Sequence, residues 1–153
     1  MTDNRINFFS EETDFEIENK DAVRQAISEY VRSAGNDTGT VNYIFCTDEY
    51  LLQLNKKYLN HDFYTDILAF QMNDDPIEGD IFISIERVKD NAEQLGTGFE
   101  DELYRVISHG ILHFLGYKDK TEEQKQLMRE KENELMTLIK KTTKHGSQSR
   151  ESI

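Results

Sequence analysis

The sequence has little cysteine, little proline and no long apolar run. Among its 153 residues there is one cysteine, Cys46, and one proline, Pro76. A single cysteine excludes an intrachain disulfide and a cysteine-rich zinc cluster. No run approaches the roughly eighteen apolar residues of a membrane-spanning helix, so no membrane partner is expected. The first residues lack the basic and apolar segments of a secretory signal, and we therefore expect a cytoplasmic protein.

Positive charge is also scarce. Lys and Arg number 18 against 30 Asp and Glu, which gives a formal net charge of −12. Proteins that bind nucleic acid usually present a basic face, because phosphate binding releases counterions. This chain has two small basic groups, Lys56 with Lys57 and a second one between Lys140 and Arg150. Taken alone, both groups favour a solvated surface over a nucleic-acid interface.

The hydrophobic pattern predicts one α+β domain. Apolar residues at helical spacing indicate helices, and short apolar runs indicate strands. The predicted helices cover residues 21–33, 47–58, 86–94, 100–115 and 121–139, and the predicted strands cover 6–9 with 15–17 as an edge strand, 41–46, 67–72 and 80–85. We expect a small mixed β-sheet with helices packed mainly on one face. The domain is predicted to span residues 1–140, followed by a disordered tail at 141–153.

Two histidines near the end of the predicted core helix form a candidate metal site. His109 and His113 are four residues apart, which places their rings on one face of the helix, one turn apart. Two imidazoles held in this way can bind one zinc ion. Gly116 is suited to end the helix, and Asp119 is the nearest suitable third ligand in the turn that follows. The alternative is a pair of ordinary histidines without a metal.

Gly110 directly follows the first of these histidines. Zinc peptidases with the same histidine spacing carry a glutamate at that position as the general base. Glycine cannot transfer a proton, so a peptidase is disfavoured. Glycine inside a helix costs roughly 1 kcal/mol relative to alanine. This cost predicts either a close approach to the ion or tight packing of the helix against a neighbour.

Three blocks of the sequence, in chain order, carry a family resemblance. They are LNKKYLNHDFYTDILAF at 54–70, GDIFIS at 79–84 and HGILHFLGY at 109–117. They resemble the motifs LNxxYRxxDxPTDVLSF, GDIxIS and HGxLHLxGY of the bacterial YbeY-type rRNA maturation factors, which are metal-dependent endoribonucleases. The resemblance implies a single-strand-specific metallo-endoribonuclease.

The third metal ligand is one point of departure from the family pattern. The family uses a histidine two residues after the tyrosine of its last motif, and Asp119 stands at that position. A carboxylate can also bind zinc. The resemblance therefore implies one Zn²⁺ per chain, bound by His109, His113 and Asp119, with another divalent metal as the alternative because the ligand set is harder.

The block at 54–70 departs from the family at two further positions. At the position of the family arginine this chain has Leu59, and Lys56 or Lys57 is a candidate to replace that arginine. The family proline before Thr-Asp is Tyr64, which changes the stiffness of the loop more than its chemistry.

By the same resemblance, the substrate is single-stranded rRNA and the partner is the ribosome or its small subunit. The implied role is maturation of the 3′ end of small-subunit rRNA and ribosome quality control. No general base can be assigned from the sequence. Asp62, Asp66 and Asp80 occupy motif positions, but Asp62 is equally suited to cap a turn, Asp66 to orient a metal-binding histidine, and Asp80 to begin a strand.

Three other functions share parts of this pattern. A non-catalytic ribosome-assembly factor with a structural zinc would need a fourth protein ligand, and the sequence suggests none. A zinc peptidase lacks its glutamate. An iron oxygenase with two histidines and one carboxylate agrees with the ligand set but not with the family resemblance.

Overall fold

The computed structural model describes residues 5–151, with side chains described for residues 5–143. The strands are β1 (Ile6–Ser10), β2 (Thr38–Cys46), β3 (Ile67–Asp74) and β4 (Ile77–Ser84). The helices are α1 (Lys20–Ser33), α2 (Asp48–Leu59), α3 (Ile85–Leu95), α4 (Phe99–Phe114) and α5 (Glu122–Glu151). Within the described range, no helix is both long and apolar enough to cross a membrane.

The four strands form one mixed sheet in the order β1-β2-β4-β3. β1, β2 and β4 run parallel, and β3 pairs antiparallel with β4. The predicted mixed sheet is therefore confirmed, and β1 is an edge strand as expected. Residues 15–17 were predicted to extend that edge but form no strand. Instead, the ring of Phe15 packs edge-on against Phe45 of β2, at a centroid distance of 5.1 Å.

Four of the five helices in the described residues cover one face of the sheet. Side chains alternate between the two faces of a strand. Val41, Tyr43 and Phe45 of β2 therefore point into the main core with apolar residues of α1, α3, α4 and α5. Cys46 points to the opposite face, where it packs with Leu51 of α2. The prediction of helices mainly on one face is confirmed.

Hydrogen bonds at two helix starts fix where the connecting turns end. The Thr47 hydroxyl accepts a bond from the Tyr50 N–H at the start of α2, at 3.1 Å. At the start of α5, Thr121 accepts from the Gln124 N–H, and the Gln124 side chain accepts from the Thr121 N–H, both at 3.1 Å. This is the predicted capping box. It begins α5 just after the turn that contains Asp119.

The last helix extends further than its apolar stripe predicts. The sequence indicated a disordered tail from residue 141, but α5 continues to Glu151. Thr143 is buried, and its hydroxyl donates to the Lys140 carbonyl at 3.1 Å. Backbone hydrogen bonding can extend a docked helix beyond its last apolar contact. Apolar periodicity in the sequence does not predict such an extension. Residues 152 and 153 of the predicted tail lie outside the described residues.

Candidate metal centre

α4 is the core helix that positions the candidate site. Leu103, Ile107 and Ile111 are buried on the side of the helix that faces the core. The hydroxyl of Tyr43 in β2 donates to the Ile107 carbonyl at 2.9 Å, which fixes the helix against the sheet. The helix ends before Gly116, which has a φ of 100°. Glycine adopts this left-handed conformation without a steric penalty, so the chain can turn back along the helix end.

The glycine between the histidines is explained by packing against the sheet. A Cβ at Gly110 would lie 3.0 Å from an Ile81 methyl carbon and 3.1 Å from the Ile67 Cδ1 atom. Those separations are shorter than ordinary van der Waals contacts. Of the two explanations that the sequence left open, tight packing of α4 against β3 and β4 accounts for this residue.

The three predicted ligands lie together. The Nε2 atom of His109 is 3.2 Å from Oδ2 of Asp119, and Nε2 of His113 is 3.6 Å from the same oxygen. The two imidazole rings are nearly perpendicular, with centroids 4.6 Å apart. One ligand atom from each residue lies within 4.8 Å of the other two. The helical spacing and the turn at Gly116 together produce this cluster.

These residues fit a divalent transition metal. Ligand atoms about 2.0–2.1 Å from a tetrahedral zinc are separated by roughly 3.4 Å. The two distances from Asp119, 3.2 and 3.6 Å, lie on either side of that separation. Two imidazole nitrogens and one carboxylate oxygen are also a ligand set that zinc accepts.

The direction in which the His113 pKa is shifted agrees with ligation. Burial lowers the pKa of His113 below its ordinary value, and the nearby His109 lowers the pKa further. Asp119 opposes both effects. A histidine must be neutral to bind a metal, and a lowered pKa keeps it neutral over a wider pH range.

A buried carboxylate holds the other nitrogen of His109. Oε2 of Glu132, in α5, lies 2.6 Å from Nδ1 of His109, and Glu132 is only 2% exposed. With Nδ1 hydrogen-bonded to Glu132, Nε2 is the nitrogen that faces Asp119. Carboxylates in this position fix both the tautomer and the ring orientation of metal-binding histidines. Sequence reasoning missed Glu132, although its spacing from Met128 and Leu135 places it near the apolar stripe of α5.

Arg105 connects Glu132 to a second buried acid. Its Nη1 atom lies 3.6 Å from Oε1 of Glu132, and its Nε–H donates to Oε1 of Glu102 at 2.9 Å. Glu102 is also 2% exposed. Its hydrogen bond to Arg105 raises the pKa of the guanidinium further above its already high value. The guanidinium is therefore a permanent positive charge between two buried carboxylates.

Asp66 was one candidate to orient a metal-binding histidine, but Glu132 has that position. Oδ2 of Asp66 accepts a hydrogen bond from Asn91 at 3.3 Å and lies 4.0 Å from Arg105. Burial raises the pKa of the Asp66 carboxyl, and the positive charge of Arg105 opposes that effect. Asp66 therefore borders the cluster, and His109 as well as Arg105 acts on its charge.

The other two motif aspartates have partners elsewhere. Asp80 lies in β4 and accepts a hydrogen bond from Asn42 of β2 at 3.0 Å. Asp62 is exposed and lies 3.5 Å from the Lys56 ammonium. The ammonium of Lys57 lies over the ring of Tyr58, 5.2 Å from its centroid. The contacts described for these residues do not connect them to the histidines.

A cleft between β3 and the end of α4 leads to His113. A cavity of about 330 Å³ is lined by His113, Phe114 and four residues of β3, namely Ile67, Leu68, Ala69 and Gln71. The Gln71 amide donates to the Phe114 carbonyl at 2.8 Å, which holds the strand against the helix end. The His113 side chain is 36% exposed and that of His109 is 17% exposed. The site therefore has a buried side at His109 and an open side at His113.

Comparisons with known proteins identify the family. A sequence model of the family "Endoribonuclease YbeY" matches residues 5–140. An Endoribonuclease YbeY of Cytophaga hutchinsonii is 45% identical over 92% of this chain and 99% of its own length. Those of Flavobacterium johnsoniae and Christiangramia forsetii are each 47% identical, over 86% and 91% of this chain and 95% and 97% of their own lengths.

A solved structure supports the fold independently. The solution structure of a protein from Thermotoga maritima superposes with a TM-score of 0.66 and covers 92% of this chain and 93% of its own. Its sequence identity is 24%, so this likeness concerns the fold alone. The family match covers nearly all of the described residues, and it confirms the family and the enzyme class that the three motif blocks predicted. The chain belongs to the YbeY endoribonuclease family.

Proposed function

We propose that this chain is an endoribonuclease that binds one divalent metal, zinc in the first instance, through His109, His113 and Asp119. The observation that carries the proposal is the convergence of these three side chains beside an open cleft in a chain of the YbeY family. A bound ion of this kind supplies a Lewis acid for a phosphoryl oxygen and lowers the pKa of a bound water.

Other residues of the chain orient the proposed ligands and bind the substrate. Glu132 orients the His109 ring through its 2.6 Å contact with Nδ1. Arg105 helps to hold Glu132 in place through the 3.6 Å contact between Nη1 and Oε1 of the glutamate. The cleft along β3 binds the substrate next to His113, where the exposed edge of the site lies. The described contacts of Lys56 and Lys57, with Asp62 and with the Tyr58 ring, do not include the three proposed ligands.

The proposed substrate is single-stranded rRNA, and the proposed partner is the ribosome or its small subunit, in the cytoplasm. The family motifs support processing of the 3′ end of small-subunit rRNA and ribosome quality control. Family membership disfavours the peptidase, the oxygenase and the non-catalytic factor that the histidine pattern alone left open.

The decisive test combines metal analysis with RNA cleavage. Purified protein should carry about one equivalent of transition metal and should cleave a labelled single-stranded RNA. A duplex of the same sequence should be cleaved more slowly, and activity should fall as salt rises, because phosphate contacts are salt-dependent. Equal cleavage of both forms would refute the single-strand preference. Metal-loaded protein without activity on any RNA would favour the non-catalytic ribosome factor.

A further inference from the structure

Exposed apolar side chains are concentrated in one short segment, residues 58–64, which we call the aromatic loop. Four large hydrophobic residues here stand in solvent: Tyr58 (58% exposed), Leu59 (42%), Phe63 (55%) and Tyr64 (51%). Exposed apolar residues scattered singly need no explanation, but a contiguous group marks an interaction site. This group has three aromatic rings within seven residues.

Two hydrogen bonds with the buried residue Asn55 hold the aromatic loop in place. Asn55 in α2 is 1% exposed, and its side-chain amide donates to the Phe63 carbonyl at 2.9 Å. Its own carbonyl accepts from the His61 N–H at 3.1 Å. Asn60 has a φ of 55°, which turns the chain at the end of the helix. The rings are therefore exposed because the backbone is anchored in a conformation that presents them outward.

Stacking partners and cations accompany the rings. The His61 and Phe63 rings are stacked, with centroids 5.0 Å apart and an interplanar angle of 23°. The Arg87 guanidinium lies 5.4 Å from the centroid of the Tyr64 ring. Aromatic rings interleaved with cations are typical of surfaces that bind single-stranded nucleic acid, in which bases stack on rings and cations follow the phosphates.

The aromatic loop is continuous with the cleft of the candidate site. It ends three residues before β3 begins at Ile67, and Ile67 is one of the residues that line the cavity beside His113. Asp66, between the loop and the strand, lies 4.0 Å from Arg105 of the buried cluster. A strand of RNA that occupies the cleft along β3 would therefore reach the aromatic loop at one end.

We propose that the aromatic loop is a stacking platform for unpaired bases of the RNA substrate, with Phe63 and Tyr64 as its principal rings. The proposal rests on the proposed endoribonuclease function and adds the feature that selects single strands. It also accounts for RNA binding by a chain with a net charge of −12. Stacking uses the neutral face of a base, which is hidden in a duplex, so it requires little positive charge.

The test measures RNA binding separately from cleavage. RNA binding is measured by fluorescence anisotropy with a short labelled oligouridylate, and a gel verifies that the oligonucleotide stays intact. The wild-type chain is compared with Phe63→Ala and Tyr64→Ala. Each alanine variant should bind roughly 5- to 150-fold more weakly, which corresponds to the loss of one stacked base. Tyr64→Phe should bind like the wild type, because the ring is kept. Metal content should not change in any of these variants.

The matched control is Phe9→Ala, which removes a phenylalanine that is 52% exposed on β1, at the other edge of the sheet. It should leave binding unchanged. Binding of both loop variants at wild-type strength would overturn the platform, even if the wild type cleaves RNA. Weakened binding of the variants with no cleavage by the wild type would keep the platform and refute the nuclease. A wild-type dimer that Phe63→Ala dissociates would assign the loop to a second copy of the chain and overturn the proposal.

Discussion

The His109 ring contacts two carboxylates in two different environments. On the buried side, Glu132 is 3% exposed in its side chain and lies 2.6 Å from Nδ1. On the open side, the Asp119 side chain is 39% exposed and lies 3.2 Å from Nε2. A buried, hydrogen-bonded acid is suited to hold a ring, whereas an acid at the edge of a cleft is suited to bind an ion. The same chemical group, a carboxylate, is therefore placed as a support on one side and as the proposed ligand on the other.

Removal of the ligand nearest the cleft should have the largest effect on this open side. His113→Ala deletes one of only two imidazoles in the cluster, and we expect it to lose most of the one equivalent of bound metal. Elemental analysis of the purified variant measures this directly. His61→Ala, in the aromatic loop, is the matched histidine control and should keep its metal. Full metal content in His113→Ala would place the metal elsewhere.

Asp119 tests whether the open carboxylate is a ligand. Asp119→Ala should lower zinc affinity by more than the roughly 10- to 100-fold that is typical for loss of a supporting residue. Lys118→Ala and Lys120→Ala, on either side of it, should bind zinc normally. Asp119→His should retain metal and shift the preference towards softer, nitrogen-favouring ions. All of these constants come from competition with a chelator.

The competing explanation for Asp119 is a helix cap at the start of α5. Loss of a cap costs about 1 kcal/mol and would lower the melting temperature without changing metal affinity. Thr121 and Gln124 already form the capping box of this helix. A variant with unchanged zinc affinity and slightly lower stability would nevertheless show that Asp119 is structural.

A substitution on the buried side should lower both the metal affinity and the stability of the protein. Glu132→Ala removes the partner of His109 and leaves Arg105 with one fewer acid, so we expect roughly 10- to 100-fold weaker metal binding. Breaking a buried ionic contact also costs about 3–5 kcal/mol in the free energy of unfolding. Denaturant unfolding and metal competition measure the two effects.

Glu132→Gln distinguishes orientation from charge at the same position. Glutamine can still accept a hydrogen bond from Nδ1–H of His109, so this variant should keep more metal affinity than Glu132→Ala. The control is Glu134→Gln, on the same helix, whose carboxylate is 53% exposed and contacts Lys131. It should match the wild type. Equal affinity in Glu132→Ala and the wild type would rule out a positioning role.

The smallest effect is expected where α4 packs on the sheet. Gly110→Ala gains roughly 1 kcal/mol of helix propensity but introduces contacts of 3.0–3.1 Å with Ile81 and Ile67. Overpacking typically costs about 1–3 kcal/mol, so a net loss of about 1 kcal/mol is expected in unfolding experiments. Ile81→Val removes one of the contacting methyl groups and should reduce the cost of Gly110→Ala. A variant more stable than the wild type would show that the helix has room at this position.

The sequence could predict the open side of the site but not the buried side. His109, His113 and Asp119 lie within eleven residues, and helical spacing plus one turn is enough to bring them together. Glu132 lies in a different helix, 23 residues from His109. Its burial depends on how α5 packs against α4, and a glutamate among other charged residues otherwise indicates a solvated face.

The same limit applies to the fold. Apolar periodicity located the described helices and strands, because it reflects which side of each element meets the core. It could not predict the strand order β1-β2-β4-β3, which depends on contacts between distant segments. It also ended the last helix too early, since α5 continues to Glu151 past the end of its apolar stripe.

The placement of Glu132 in α5 has a consequence for the time at which the site becomes complete. Translation supplies α5 after every other described element. His109, His113 and Asp119 are therefore synthesised before the carboxylate that fixes the His109 ring. A nascent chain has no fully ordered site until α5 has been made and has packed against α4.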